Sequence, residues 1–448
     1  MGQPTTRLQV SGHRFMARRM EHALVRGDTQ MIDDPLRGQK LSLICGAVLA
    51  VIGVAICAVL AFVRPGANLG DAHVVVVRES GAMYVRIDDV LHPVFNLASA
   101  RLIVGSAVEP RVVSQRAVEH AELGSRVGIP EAPDQISPPL SAEESRWTVC
   151  DDQHATTVFA GPVSAGGVAP GRSVLVTPRG GSAALTYLLH GGWRSRVDLR
   201  HGAVVRALRI DGVAPQSVSP EVLAAIPEGP AIAPPHIADA GRPGPGILRD
   251  HPVGSVVTSG GDRFVVLADG LQRIGEVAAD LIRYTDERAG AAIPTVSSAA
   301  VGSLPVVTSL PVTTYPGRGG VVTDPVVCAQ WTQTLSETGS HTDLLVGTGL
   351  PTAAPPIGGV SVPAGRSVFV RSVGLTGTGR SAGSLFLLVD SGLLHGVRDD
   401  ETAAALGLAQ PAVPAPWPIL ATLPRGPELS RDAASVARQS STARQRMP

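Results

Sequence analysis

The chain has 448 residues, with 38 basic and 38 acidic side chains and no net charge. That balance lacks the positive excess that a nucleic-acid partner requires. With 50 glycines, 37 prolines and only 3% aromatic residues, the composition excludes one large aromatic-rich globule and points to many short elements around small aliphatic cores.

The first element in chain order is a basic helix. Ser11 is its expected cap, Phe15, Met16, Met20, Ala23 and Leu24 share one face, and Gly27 ends it. Such a helix either rests on anionic headgroups or docks on a partner's cytoplasmic or juxtamembrane helix through Phe15, Arg18, Arg19, Met20 and Leu24. Asp34-Pro35 then restarts a helix, with proline at its tolerated first position. That helix is expected to continue into Leu41 to Val63, an uncharged run long enough to span a bilayer. The block before the run is too long and structured for a cleaved signal peptide. Arg7, Arg14, Arg18, Arg19, Arg26, Arg37 and Lys40 outnumber Glu21, Asp28, Asp33 and Asp34 ahead of the span. The amino end is therefore expected in the cytoplasm and the rest outside.

Cys45 and Cys57 lie in the span, and Cys150 and Cys328 are the only cysteines beyond it. An exported location permits a disulfide, and the two most simply pair with each other.

Self-similarity divides the exported region. Tyr84, Tyr187, Phe264 and Phe386 each open a strand that runs into a turn. An apolar residue recurs at Val94, Val197, Ile274 and Val397, followed by helical stretches over 96–104, 199–210, 275–284 and 399–408. Pro110-Arg-Val-Val-Ser114, Pro215-Gln-Ser-Val-Ser219 and Pro294-Thr-Val-Ser297 then introduce short apolar turns; the fourth copy has Pro414-Ala-Pro-Trp-Pro418 there. Gly171-Arg-Ser-Val174 and Gly365-Arg-Ser-Val368 sit in similar segments, each following one exported cysteine. These features predict two related halves, each with a β-rich insert, joined at Cys150 and Cys328. The segments 227–246 and 301–322 read as loose connections, and the end from Arg431 as disordered.

The expected organisation is a cytoplasmic amphipathic helix segment over 1–40 and a transmembrane helix over 41–63. Repeat one covers 64–146, the first β insert and repeat two 147–240, and repeat three with a linker 241–325. The second β insert and repeat four cover 326–430, and the tail 431–448. The fold class is α+β.

No catalytic, cofactor-binding or metal constellation is expected. A P-loop needs a lysine before Ser or Thr, but Lys40, the only lysine, precedes Leu41. Gly377-Thr-Gly379-Arg-Ser-Ala382 imitates a dinucleotide loop yet runs into a strand instead of a helix. Gly379-Arg-Ser381-Ala-Gly383 imitates a serine-hydrolase elbow, and His190-Gly-Gly-Trp193 an oxyanion-hole loop, but Ser381 also precedes a strand. The histidines lack metal-ligand spacing. Asp151-Asp152 and Asp399-Asp400 read as turn or helix-start carboxylates.

The residues Gln9-Val-Ser-Gly-His-Arg-Phe15, Arg19-Met-Glu-His-Ala-Leu-Val-Arg26 and Asp33-Asp34-Pro35-Leu-Arg37 before a single span closely resemble the EccB family. EccB is the B component of the mycobacterial type VII (ESX) secretion membrane complex. The match runs over nearly the whole chain, departing in the weak fourth Val-Ser landmark and the absence of a long carboxy-terminal extension. The resemblance implies a single-pass inner-membrane protein with a cytoplasmic amino end. Its periplasmic domain would hold four repeats around a β-rich centre and self-associate in a channel complex. The implied partners are the motor ATPase EccC, EccD, EccE and the mycosin protease. Some family members carry an ATPase label, so an extracytoplasmic ATPase is the rival function, with a cell-wall-binding repeat protein as the third.

Overall fold

The computed structural model describes residues 6–27, 35–63, 69–164, 168–170, 173–181, 185–285, 292–334, 339–351, 353, 355–356, 358–377 and 382–437. The chain divides into two compact units, Met1–Gly70 and Asp71–Pro448.

The smaller unit holds two helices, α1 (Arg7–Arg26) and α2 (Pro35–Val63). Helix α1 starts one turn before the expected Ser11 cap. Thr6 precedes it, and the Gln9 side chain reaches back to accept the Thr6 N–H at 3.0 Å. Gly27 ends it in the left-handed conformation, its N–H donating to Ala23 O. Helix α2 runs unbroken from Pro35 into the apolar stretch. Leu41–Val59, with mean hydropathy 2.7, is the one helix among the described residues long and apolar enough to cross a membrane. Asp33 and Asp34 lie outside the described residues.

The larger unit contains five sheets, four of them small. The first is built from β1 (Val74–Val77), β2 (Met83–Ile87), β3 (Val90–Val94) and β4 (Arg111–Val113), with α3 (Leu97–Val104) and α4 (Gln115–Glu119). Four successive valines make β1 a strand. It lies between β2 and β4, and Val74, Val75 and Val77 are all buried, so a central strand covered on both faces reads as a continuous apolar run. Strand β4 pairs with β1 in parallel, which requires the crossover that α3 supplies.

The chain continues through β5 (Arg146–Asp151), β6 (Thr156–Ala160) and β7 (Val168–Pro170). The second small sheet comprises β8 (Val174–Pro178), β9 (Tyr187–His190), β10 (Trp193–Arg196) and β11 (Gln216–Val218), with α5 (Gly202–Leu208) and α6 (Pro220–Ala224). The third has β12 (Val256–Ser259), β13 (Asp262–Leu267) and β14 (Gly270–Ile274), with α7 (Glu276–Thr285) and α8 (Ser298–Gly302). Strands β15 (Val326–Gln333), β16 (Ser340–Gly347) and β17 (Val360–Ser361) follow. The fourth small sheet contains β18 (Val368–Val373), β19 (Leu385–Leu388), β20 (Leu394–Val397) and β21 (Val413–Pro416), with α9 (Asp400–Leu406), α10 (Trp417–Leu420) and α11 (Arg431–Ala434).

The strand orders β3-β2-β1-β4, β10-β9-β8-β11 and β20-β19-β18-β21 are one pattern. The third sheet follows it, with Thr295 bridging Thr258 where the fourth strand would stand. Each small sheet therefore has a strand in front of the aromatic-led hairpin and, behind its first helix, a further strand or in the third sheet a single bridge, and is larger than the expected strand–turn–strand–helix. The segments expected as short apolar turns supply the rear strand. Serine caps the helix that follows at Ser219 and Ser297, accepting the Val222 and Ala300 N–H groups. The divergent Pro414-Ala-Pro416 still forms β21 parallel to β18, because an edge strand tolerates proline.

Both β inserts contribute to one sheet, ordered β17-β6-β5-β15-β16-β7. The halves exchange their short outer strands: β7 pairs with β16, and β17 with β6.

Three further expectations need correction. Gly171 and Arg172 lie outside the described residues, but Ser173 leads into β8 and Gly365-Arg-Ser-Val368 into β18, central strands of small sheets and not of the inserts. The segments 227–246 and 301–322 are not loose. Glu228 and Ile232 bridge Arg194 and Val197, Val306 bridges Leu271, and Tyr315 Oη donates to Ala231 O at 2.7 Å. The tail is ordered through Ala437: Ser430 caps α11, Ala434 is buried, and Ala437 bridges Val127. Residues 438–448 lie outside the described residues.

Candidate assembly site

In the smaller unit, Phe15, Arg18, Arg19, Met20 and Leu24 are all exposed on α1. Exposed apolar side chains on a helix with arginines suit a headgroup layer or another helix.

In the larger unit, β5 and β15 are antiparallel neighbours whose register sets Cys150 opposite Cys328 and Trp147 opposite Trp331. The cysteines form a disulfide, buried with Phe159 and Val326 beneath Val163, Leu345 and Leu350. The tryptophans face the main core, where the sheet meets the second and fourth small sheets. At the end of β5, the buried Asp151 carboxylate accepts from Arg179 Nη2 at 2.6 and 2.8 Å and from the Ser219 N–H. This charge-assisted cluster ties the central sheet to the second small sheet.

The small sheets join in two pairs. Helix α3 packs on α9, and the first and fourth sheets share one core containing Val85, Leu102, Leu387 and Leu406. Buried Arg101 crosses this contact: Nη1 donates to Leu406 O at 2.9 Å, Nε to Val108 O and Nη2 to Glu109. A cation at the carboxy end of α9 is favoured by the helix dipole. Helices α5 and α7 likewise join the second and third sheets, with Leu208 and Leu281 in one core. There Arg206 lies over the Tyr284 ring at 4.2 Å, and Arg209 pairs with Glu276. Glu276 and burial together push the Asp280 carboxyl up, burial being the larger cause.

Each pair is also strapped by a connecting segment. After the first small sheet, Leu140 N–H donates to Ser367 O at the start of the fourth. After the third, Val322 N–H donates to Ser173 O at the start of the second. The two Gly-Arg-Ser-Val motifs thus mark matching strap points, a role that their repetition alone did not reveal. Arg101 carried no motif signal; Asp151, expected as a turn carboxylate, does accept the Gln153 N–H, but its pairing with Arg179 and the Ser219 N–H was not foreseen.

Residues 378–381, including Ser381, lie outside the described residues. His190 ends β9, buried, with Nε2 3.2 Å from Ser195 Oγ. Gly192 has φ +78°, and a Cβ there would stand 2.0 Å from Thr342 O of β16, so this glycine docks the β9–β10 hairpin against the central sheet. We expect Gly192→Ala to cost roughly 2–3 kcal/mol, against about 1 for Gly191→Ala, which shares a positive φ but meets nothing. Thermal unfolding of the two variants checks this. Asp152 accepts turn N–H groups from His154 and Ala155. Asp399 caps α9 by accepting the Thr402 N–H, and that bond holds its carboxyl below the usual range. Among the described residues, no three His, Cys, Asp or Glu side chains gather to hold a metal.

Burial pushes the His190 imidazole down from 6.5 to about 4. The unfolded chain binds this proton near pH 6.5 and the folded chain only near 4. Stability is therefore full above 6.5 and falls as pH drops towards 4, by about 3 kcal/mol in all. We expect His190→Gln to flatten that acid limb, read from denaturation midpoints at pH 7 and 4.5.

A membrane-type helix with an apolar, arginine-bearing helix before it, and a larger unit of interlocked α/β sheets, defines a tethered assembly protein. A family profile described as type VII secretion system ESX-1, transport TM domain B (EccB) matches residues 2–443. The chain is 35% identical to the ESX-3 secretion system ATPase EccB3 of Mycolicibacterium smegmatis, over 96% of this chain and 90% of that protein. It is 34% identical to the ESX-2 secretion system ATPase EccB2 of Mycobacterium tuberculosis, over 97% and 95%. Among solved structures, a chain of an intact ESX-5 inner membrane complex superposes with TM-score 0.70 at 27% identity, covering 98% of this chain and 97% of that one. The EccB3 dimer from the ESX-3 core complex gives 0.69 at 32%, covering 82% and 100%. The chain belongs to the EccB family of type VII secretion.

Proposed function

We propose that this protein is a structural and assembly subunit of a type VII secretion membrane complex. It spans the inner membrane once through α2, with α1 cytoplasmic and the larger unit in the periplasm, where it self-associates. The observation that carries this reading is the build of the larger unit. Two strapped pairs of small sheets are held on one disulfide-closed central sheet, an arrangement suited to holding shape. The shared strand order supports reading the small sheets as four copies of one repeat, in matching halves. Helix α1, through Phe15, Arg18, Arg19, Met20 and Leu24, is the docking element for a partner's helix. An EccC-type motor ATPase, EccD and EccE are the expected partners, with the mycosin protease nearby.

Isolation of the tagged full-length protein from its own membrane in mild detergent, with a native gel and mass spectrometry, tests this. A large assembly containing a motor ATPase is expected; a lone monomer or dimer, reproducibly free of partners, overturns it. The word ATPase in the relatives' names motivates a second reading, nucleotide hydrolysis, which here would have to proceed without a P-loop lysine. Turnover by purified protein that persists through stringent purification and is lost on a point change would favour it.

A further inference from the structure

The two joints between small sheets are not filled alike. Between the second and third sheets, the Tyr284 ring of α7 meets α5 through Arg206, whose Cζ lies 4.2 Å from the ring centre. Tyr284 stands twenty positions after Phe264, and on α3 the residue twenty after Tyr84 is the smaller Val104. Between the first and fourth sheets, where α3, α9 and α11 meet, a cavity of about 270 Å³ remains. Leu102 of α3 and Thr402 and Ala405 of α9 line it, and each is more than nine-tenths buried. Pockets for drug-sized ligands run from roughly 300 to 1,000 Å³, so this one suits a smaller molecule.

Arg398, Asp399, Glu401, Arg431 and Asp432 line the same cavity, and three of them are already committed. Arg398 donates to Asp432 at 3.0 Å, and Asp399 accepts the Thr402 N–H at 2.7 Å. Glu401 of α9 and Arg431 of α11 differ. Among the described residues, neither side chain makes a hydrogen bond or ion pair, with the other or with any neighbour. The cavity thus offers one free carboxylate and one free guanidinium above an apolar floor. Exposed charges alone hold a ligand weakly, because water screens them; buried Leu102 and Ala405 add the desolvated contact that a surface ion pair lacks.

We propose that this cavity binds a free aliphatic α-amino acid. The ligand's carboxylate takes the Arg431 fork, which donates through two parallel N–H groups. Its ammonium donates to Glu401, and its side chain rests on Leu102 and Ala405. A zwitterion is favoured over either single charge. An anion such as phosphate meets Asp399, Glu401 and Asp432 on the same walls, and a simple cation meets Arg398 and Arg431. The three helices belong to two sheets, so an occupant touching all of them favours the joined state over an opened one. The site lies within one chain, so its failure would leave the assembly role standing.

The test is a ligand-detected NMR titration of the full-length protein in mild detergent with leucine, leucinamide and N-acetyl-leucine. Leucinamide lacks the carboxylate, and N-acetyl-leucine lacks the ammonium. Leucine should bind with a Kd of about 1 mM or below, and each derivative about tenfold or more weakly. Arg431→Gln should bind leucine and leucinamide alike, because the group that tells them apart is gone. Glu401→Gln should bind leucine and N-acetyl-leucine alike for the same reason. Both side chains are exposed, so neither change threatens the fold. No leucine binding up to about 10 mM, or equal binding of all three compounds by the wild type, overturns the proposal. So does either variant that keeps the wild-type preference.

Discussion

Replacing Cys150 and Cys328 together by alanine is expected to lower the unfolding free energy of the larger unit by about 5 kcal/mol. The bond joins residues 178 apart in sequence, and cross-linking so long a loop removes much of the freedom of the unfolded chain. Sulfurs enclosed by Phe159, Val326 and Leu345 are closed to reductant while the sheet stays folded, so reductant alone should leave the native state intact and act only once the chain unfolds. Urea denaturation of the full-length protein in detergent, followed by tryptophan fluorescence, reads both effects, because Trp147 and Trp331 are fully buried on the two strands that the bond joins. Coincident midpoints for wild type and double variant under oxidising conditions would remove the cross-link from any account of stability.

Trp331→Ala should be nearly as damaging, at roughly 3–5 kcal/mol. The ring is completely buried in the core that joins the central sheet to the second and fourth small sheets, so its removal leaves a cavity shared by three elements. The Nε1 bond to Leu375 O, 2.9 Å, is lost as well, although Ser340 Oγ still donates to that carbonyl at 2.6 Å. Trp417, 46% exposed, tilted against Phe386 and covered by Arg425, should cost only about 1–2 kcal/mol on the same change. Equal effects at the two positions would contradict the placement of Trp331 at the centre of the core. Because Trp331 and Cys328 share β15, their effects should not add.

The elements legible in the sequence are the ones set by neighbouring residues. The strands led by Tyr84, Tyr187, Phe264 and Phe386 appear as β2, β9, β13 and β19, each followed by a third strand and a helix. Hairpins and short helices answer to local period and turn chemistry. The Cys150–Cys328 bond could be expected because only two cysteines lie beyond the span. Arg431–Ala434 misled because its polar side chains and lack of an apolar pattern resemble a solvated tail, whereas only the small Ala434 is needed to seat it.

The amino-acid sequence was enough for the apolar span and its basic helix, the aromatic-led hairpins with the helices after them, the pair of cysteines and the family. Which small sheet meets which became visible only in the folded chain. The first small sheet joins the fourth and the second joins the third. The physical reason is that this pairing depends on shape complementarity between helices such as α3 and α9, and on straps such as Leu140 to Ser367. Neither leaves a periodic trace, since the residues that meet are far apart in the chain and come together only when the sheets are packed.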